Sequence, residues 1–208
     1  MRILGLTGSI GMGKSTAAAA LRRLGVPVHD ADAEVHRLMR EDRDLIEAIE
    51  DKFPGVAASG TVDRVELGAK VFNDPAALRR LEALVHPRVR RSETAFLRRM
   101  QGRRHPLVVL DIPLLFETGG DKRCDAAIVV AAPRFLQEQR VLARRGMTPA
   151  RLAAIRQRQL GDVDKLQRAD VVIPTGLDRR TALRILKQAL AVLRHSRPPR
   201  RQLRPVRH

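Results

Sequence analysis

Gly8 Ser9 Ile10 Gly11 Met12 Gly13 Lys14 Ser15 satisfies G-x-x-x-x-G-K-[ST]. It stands between a short apolar run, Ile3 to Thr7, and an Ala-rich segment at 17–20 that continues into Leu21 and Leu24. That context dictates strand, glycine loop, helix. Glycines let the backbone curl until successive N–H groups point into one concavity, and the following helix adds the positive end of its dipole. The result is a seat for a polyphosphate. Lys14 is placed to reach β and γ phosphates, and Ser15 offers a hydroxyl to Mg²⁺. A nucleoside triphosphate with Mg²⁺ is therefore expected on Gly8, Gly11, the backbone N–H of Met12, Gly13, Lys14, Ser15 and Thr16. A glycine turn that merely packs a strand on a helix would not need the whole octet.

Composition narrows the classes around that loop. The chain has 208 residues, 44% apolar and 30% charged, which suits one globular unit and argues against a disordered, collagenous or disulfide-built chain. Cys124 is the lone cysteine, so no internal disulfide forms, and a reducing cytoplasm is expected. The glycine-broken opening is a poor signal peptide. No run of 18 apolar residues occurs, so no membrane span is expected. Forty Lys and Arg stand against 23 Asp and Glu, a formal charge of +17. Residues 194–208 carry six Arg and no acid, and read as a basic, mobile tail. Such a balance attracts anions, although only six of the 40 cations are Lys, so a general preference for Arg explains much of it.

Beyond the loop, 26–29 reads as a second strand, and Asp32 as a cap for a helix carrying Val35, Leu38 and Met39. Residues 41–104 show helices only: Leu45, Ile46, Ile49 and Phe53; then Leu67, Val71 and Phe72; then Leu78, Leu81, Leu84 and Val85 behind an Asp74 cap and Pro75. They read as an inserted helical subdomain, about 36–104. Continuous apolar runs at 107–111 and 126–131 suit strands covered on both faces. Helices at about 133–145 and from Thr148, a strand at 170–173 and a helix at 178–193 follow. Alternating strands and helices give a three-layer α/β fold with a parallel sheet.

The loop leaves the phosphoryl acceptor open: water in a GTPase or motor, a hydroxyl in a small-molecule kinase. No Asn-Lys-x-Asp guanine motif occurs, and the length leaves no room for motor domains. A kinase remains. GLTGSIGMGKST, VHDAD, LVHPRV, DIPLLFETG and ADVVI, in that order over about residues 3–177, resemble the dephospho-coenzyme A kinase family. The resemblance implies a P-loop kinase fold with a helical substrate subdomain and a helical lid, about 134–156. It implies ATP-dependent phosphorylation of the ribose 3′-hydroxyl of dephospho-CoA in the cytoplasm.

It also implies roles. Asp32 falls on the family's catalytic base, although from the residues alone a helix cap is the simpler reading; Asp30 is the runner-up. Lys14 and Arg140 complete the catalytic set, with Arg140 and Arg144 four apart on one lid face over the ATP phosphates. His86 and Arg88 match the family's HP element, where Arg88 suits a CoA phosphate and His86 could equally pack a helix end. Pro113, Leu114, Leu115 and Phe116 would line the acceptor side; unaided, they read as core. Asp111 ends a strand where an acid often stands near Mg²⁺. Thr175 departs from the family, which commonly has Asn there near the adenine. The rivals are a kinase for another nucleotide or nucleoside, and a nucleotide-switched basic protein that binds nucleic acid. With 2% aromatic residues, stacking platforms are few, so nucleic acid is expected to make only non-specific contact with the tail. Nothing in the pattern sets an oligomeric state.

Overall fold

A computed structural model describes residues 1–57, 59–72, 74–176 and 178–195. The 194–208 tail therefore lies outside the described residues from 196 onward. The chain divides into two units, Met1–Val28 with the chain from Arg104 onward, and His29–Arg103. The helical unit thus starts at His29, ahead of the expected 36, and Val35 already packs against its core.

The first unit is built on β1 (Arg2–Thr7), β3 (Leu107–Asp111), β4 (Ala126–Ala131) and β5 (Val171–Pro174), with β2 (Val28–Asp30) at the sheet edge. The order is β2-β3-β1-β4-β5, and β1 pairs in parallel with both β3 and β4. Alternation then sorts the strand side chains. Leu4, Leu6, Ile128, Val130 and Ile173 share one core with Leu21 of α1 (Lys14–Arg23) and Leu186 and Leu190 of α9 (Arg179–His195). Ala127 and Val129 turn the other way, onto Leu115 and Phe116. Every residue of β3 is buried, which is why that strand reads as an unbroken apolar run. After β4 come α6 (Arg134–Leu142), α7 (Pro149–Gln157) and α8 (Asp162–Arg168). Thr148 caps α7 by accepting from Arg151 N–H, with Pro149 in the first turn.

The second unit packs α2 (Ala31–Glu41), α3 (Arg43–Lys52), α4 (Arg64–Phe72) and α5 (Pro75–Gly102) around Leu45, Ile49, Leu67, Val71, Leu81 and Val85. Asp74 starts α5, accepting from the N–H groups of Ala76 and Ala77. The cap of α2 is Asp30, not Asp32: β2 ends in extended geometry at Asp30, whose carboxylate accepts from Ala33 N–H, and Asp32 falls inside the first turn. α5 runs 28 residues through Pro87. A proline there removes one helical N–H and crowds the preceding turn. The Arg88 guanidinium donates to the Leu84 carbonyl at 3.0 Å.

Candidate functional site

Two of the loop glycines are required by space. A Cβ on Gly8 would lie 2.3 Å from Val130 Cγ2 and 2.8 Å from the Val130 carbonyl oxygen. Gly11 holds φ +78, a left-handed conformation, and a Cβ there would meet Val141 Cγ2 at 2.5 Å. Gly13 opens α1 with no side-chain cap, so Lys14 and Ser15 begin the helix facing the loop, while Thr16 gives its N–H to the Gly13 carbonyl at 3.1 Å. Ser15 and Thr16 are exposed in its first turn.

The rest of the loop is fastened by side chains remote in sequence. Ser9 Oγ donates to Asp162 Oδ1 at 2.6 Å and accepts from Lys165 Nζ at 3.3 Å. Ile10 donates its N–H to Gln159 Oε1 at 3.2 Å, and its carbonyl accepts from Gln137 Nε2 at 2.8 Å. Arg156 donates to Gln137 Oε1 and to Glu138 Oε1. Glu138 is held below the usual carboxylate range by Arg156 first and then Arg134. A cavity of about 160 Å³ opens beside Ser9, Asp162, Gln159 and Arg156. These fasteners escaped the sequence reading. Gln137 shares the buried stripe of α6 with Val141, so a polar residue at an inward position was its signal. Lys165 sits on α8, a helix too short to show a period.

Several expected contacts differ. Met12 gives its N–H to the Ser9 carbonyl at 3.1 Å, so that group is used inside the loop, and its sulfur accepts from Ala132 N–H at 3.1 Å. Arg140 Nη2 donates to the Thr175 carbonyl at 2.8 Å and Nη1 lies 3.5 Å from the Gly11 carbonyl, so the guanidinium braces the loop backbone. Arg144 does not share its helical face: α6 stops at Leu142, and Arg144 is exposed in the turn closed by Gly146 at φ 75. Lys14 Nζ forms an ion pair with Asp111 Oδ1 at 2.6 Å, which makes Asp111 the lysine's counter-ion at the end of β3. Leu115 is fully buried and Phe116 nearly so, both packed in the core, while Pro113 and Leu114 are half-buried. Thr175 Oγ1 reaches the carbonyls of Met12 (2.5 Å) and Ala131 (3.1 Å), so its hydroxyl faces the loop.

The helical unit has its own cavity, about 380 Å³, lined by Asp32, His36, Arg64, Met39, Leu67 and Val71 among others. Asp32, on α2, is exposed at its rim. His36 and Arg64 went unmarked in the sequence because surface cations are common in so basic a chain. His86 is exposed on α5. Arg88 is engaged, its Nε 3.4 Å from Asp42 Oδ2 in addition to the Leu84 carbonyl.

The comparisons with known proteins agree across the chain. A model of the family described as Dephospho-CoA kinase matches residues 2–177. A relative named Dephospho-CoA kinase from Paramagnetospirillum magneticum is 62% identical, covering 95% of this chain and 93% of its own. One of the same name from Rhodospirillum rubrum is 56% identical, covering 92% of each. Among solved structures, TT1252 from Thermus thermophilus is 39% identical with a TM-score of 0.81, covering 92% of this chain and 97% of that one. The dephospho-CoA kinase from Campylobacter jejuni shares the fold at 24% identity and a TM-score of 0.62, over 91% of this chain and 96% of that one. A phosphate loop braced as described, in a chain whose match runs unbroken from β1 to the end of the sheet, has one membership: this protein belongs to the dephospho-CoA kinase family.

Proposed function

We propose that the protein transfers the γ-phosphoryl group of ATP to dephospho-CoA, giving coenzyme A, with the ribose 3′-hydroxyl as the nucleophile. The observation that carries the reading is the uncapped start of α1 behind Gly13, with Lys14 next to it, in a chain of this family. Backbone N–H groups and one cation suit a polyphosphate, and phosphoryl transfer needs little beyond positioning and charge stabilisation.

Ser15 and Asp111 fit Mg²⁺ as hard oxygen donors. Among the described residues no group of three or more His, Cys, Asp or Glu is placed to hold a metal. Most ligands of the ion would then be phosphate oxygens and water, which suits its reluctance to dehydrate. When bound, it would neutralise charge shared by the β and γ phosphates.

Asp32 is our choice for the base. The rival, Asp30, has its carboxylate on Ala33 N–H as the α2 cap, whereas Asp32 opens onto the cavity of the helical unit. A carboxylate there can orient the ribose hydroxyl and accept its proton as the new P–O bond forms. His36 and Arg64 on the same cavity suit a phosphate of the acceptor. Lys14 would leave Asp111 for the nucleotide. The segment about 134–156 would act as the lid, with Arg140 stabilising the transferring group once the nucleotide is seated. The assignment extends to a cytoplasmic enzyme; no described helix is long and apolar enough to cross a membrane.

A coupled assay of ADP release across acceptors tests the reading. Release stimulated by dephospho-CoA, at least about a hundredfold over adenosine or nucleoside monophosphates, supports it. Equal stimulation by another nucleotide would favour a kinase for that acceptor, and binding of RNA with no acceptor-dependent ADP would refute the enzyme.

A further inference from the structure

Lys165 is 1% exposed and the bulkiest fully buried side chain among the described residues. A buried ammonium is unfavourable unless its charge and protons find partners. It has two: Glu117 Oε1 at 3.1 Å and Ser9 Oγ at 3.3 Å. Ser9, 6% exposed, donates its hydroxyl hydrogen bond to Asp162 Oδ1 at 2.6 Å. Glu117 Oε1 also accepts from Leu160 N–H at 2.7 Å. One chain of polar groups therefore joins the segment after β3, the α8 region and the second residue of the phosphate loop, all within the first unit. Both hydrogen-bonding roles of the Ser9 hydroxyl are taken, one as donor and one as acceptor.

A hydrophobic contact would stabilise the unit equally well, so the polar construction calls for another reason. Gly8 on one side of Ser9 is pinned by Val130, and Ile10 on the other is bonded to Gln159 and Gln137. A hydroxyl held from two directions stops the intervening peptide from rotating. We infer that Lys165, Glu117 and Asp162 are positioning residues for ATP: through Ser9 they hold the loop in its anion-ready curvature before nucleotide arrives. The inference rests on the loop being the triphosphate site. A preformed loop loses less conformational freedom on binding. That advantage is the same in ground and transition states, so it belongs in KM for ATP and not in kcat.

Ser9→Ala removes the hydroxyl and leaves the Lys165–Glu117 pair intact. Lys165→Met with Glu117→Gln removes both charges together and keeps an acceptor for Leu160 N–H. Each is expected to raise KM for ATP, and the calorimetric Kd for MgATP, by about tenfold. kcat and KM for dephospho-CoA should stay within about twofold in both. Asp162→Asn, which retains the accepting oxygen, should keep most of the affinity that Asp162→Ala loses. Wild-type affinity for MgATP in Ser9→Ala and in the double variant would overturn the inference. So would a fall in kcat alone with unchanged KM, or equal losses in Asp162→Asn and Asp162→Ala. Wild-type protein that gives no heat with MgATP would strike instead at the reading of the loop.

Discussion

On the proposed reading, the two units would solve recognition in opposite ways. In the first, the groups offered to a ligand are backbone N–H donors, and side chains work from behind: Gln137, Gln159, Asp162, Lys165, Arg140 and Thr175 all bond to the loop or to the residues that brace it. In the second, the cavity between α2, α4 and α5 is walled by Met39, Leu67, Val71 and Leu81, with Asp32, His36 and Arg64 supplying the polar groups directly. The contrast follows from the ligands. A polyphosphate is the same charged object whatever carries it, so rigid dipoles suffice; an acceptor must be distinguished by shape and by a few placed side chains. Substitutions in the first unit should therefore act mainly on ATP, and those in the second on the acceptor and on proton transfer.

The largest expected effect is at Lys14, which on the proposed reading would meet the nucleotide directly. Lys14→Met should lower turnover by about a thousandfold or more, with loss of MgATP binding by calorimetry. It also takes from the buried Asp111 its lysine partner. A lower thermal midpoint is expected as well. Near-normal kcat would make Lys14 only a structural counter-ion and would erase the contrast between the units. Next comes Asp32→Asn, expected to lower kcat by about a hundredfold or more while both substrates still bind. The matching change Asp30→Asn should leave kcat within about threefold, since an asparagine still accepts at a helix cap. If Asp30→Asn proved the crippled variant, the base would be the cap residue.

How far these residues could be read beforehand depends on how local their cause is. The loop, the strands at 107–111 and 126–131 and the Asp74–Pro75 and Thr148–Pro149 starts were legible, because each is dictated within a few residues by φ, by caps or by burial on both sheet faces. The cap of α2, expected at Asp32, falls at Asp30, since the choice depends on where β2 stops, and β2 is only three residues long. In the sequence His86 stays open between a family role and packing at a helix end; the helix runs on past it and through Pro87 because packing along Ala77, Leu81, Val85, Phe96 and Met100 outweighs one lost hydrogen bond. The braces on Ser9 and Ile10 lie more than a hundred residues away in the chain, beyond any periodicity. Leu115 and Phe116 show the reverse case: the family resemblance aims them at the acceptor, while their composition alone points to the core where they lie.

Thr175 sharpens the comparison at smaller scale. Its hydroxyl bonds to Met12 and Ala131 carbonyls, and its Cβ would lie 3.2 Å from a Cβ on Gly13. It braces the loop. Thr175→Val keeps the shape and removes the donor. KM for ATP should rise about three- to tenfold, with the preference for ATP over GTP unchanged. A shift in that preference would place the side chain at the base after all.

The smallest effect concerns stability in the helical unit. His29 is buried, its ring centroid 5.3 Å from that of Phe96 and its Nε2 3.4 Å from Ser92 Oγ. Its Nδ1 is the one buried side-chain polar atom without a partner among the described residues. Burial pushes its pKa below the ordinary value, and Arg99 adds to that; Glu93, Glu34 and Asp30 oppose it without reversing the direction. As pH falls below about 6.5, the unfolded chain takes up a proton at this histidine that the folded chain refuses. Stability should therefore drop on acidification through that point, and the drop should stop once the pH passes the lower folded value. His29→Gln removes the titration, so its thermal midpoint should change less between pH 7 and 5 than that of the parent. A parallel pH slope in the variant would assign the acid sensitivity to other groups. A flatter slope would tie it to His29.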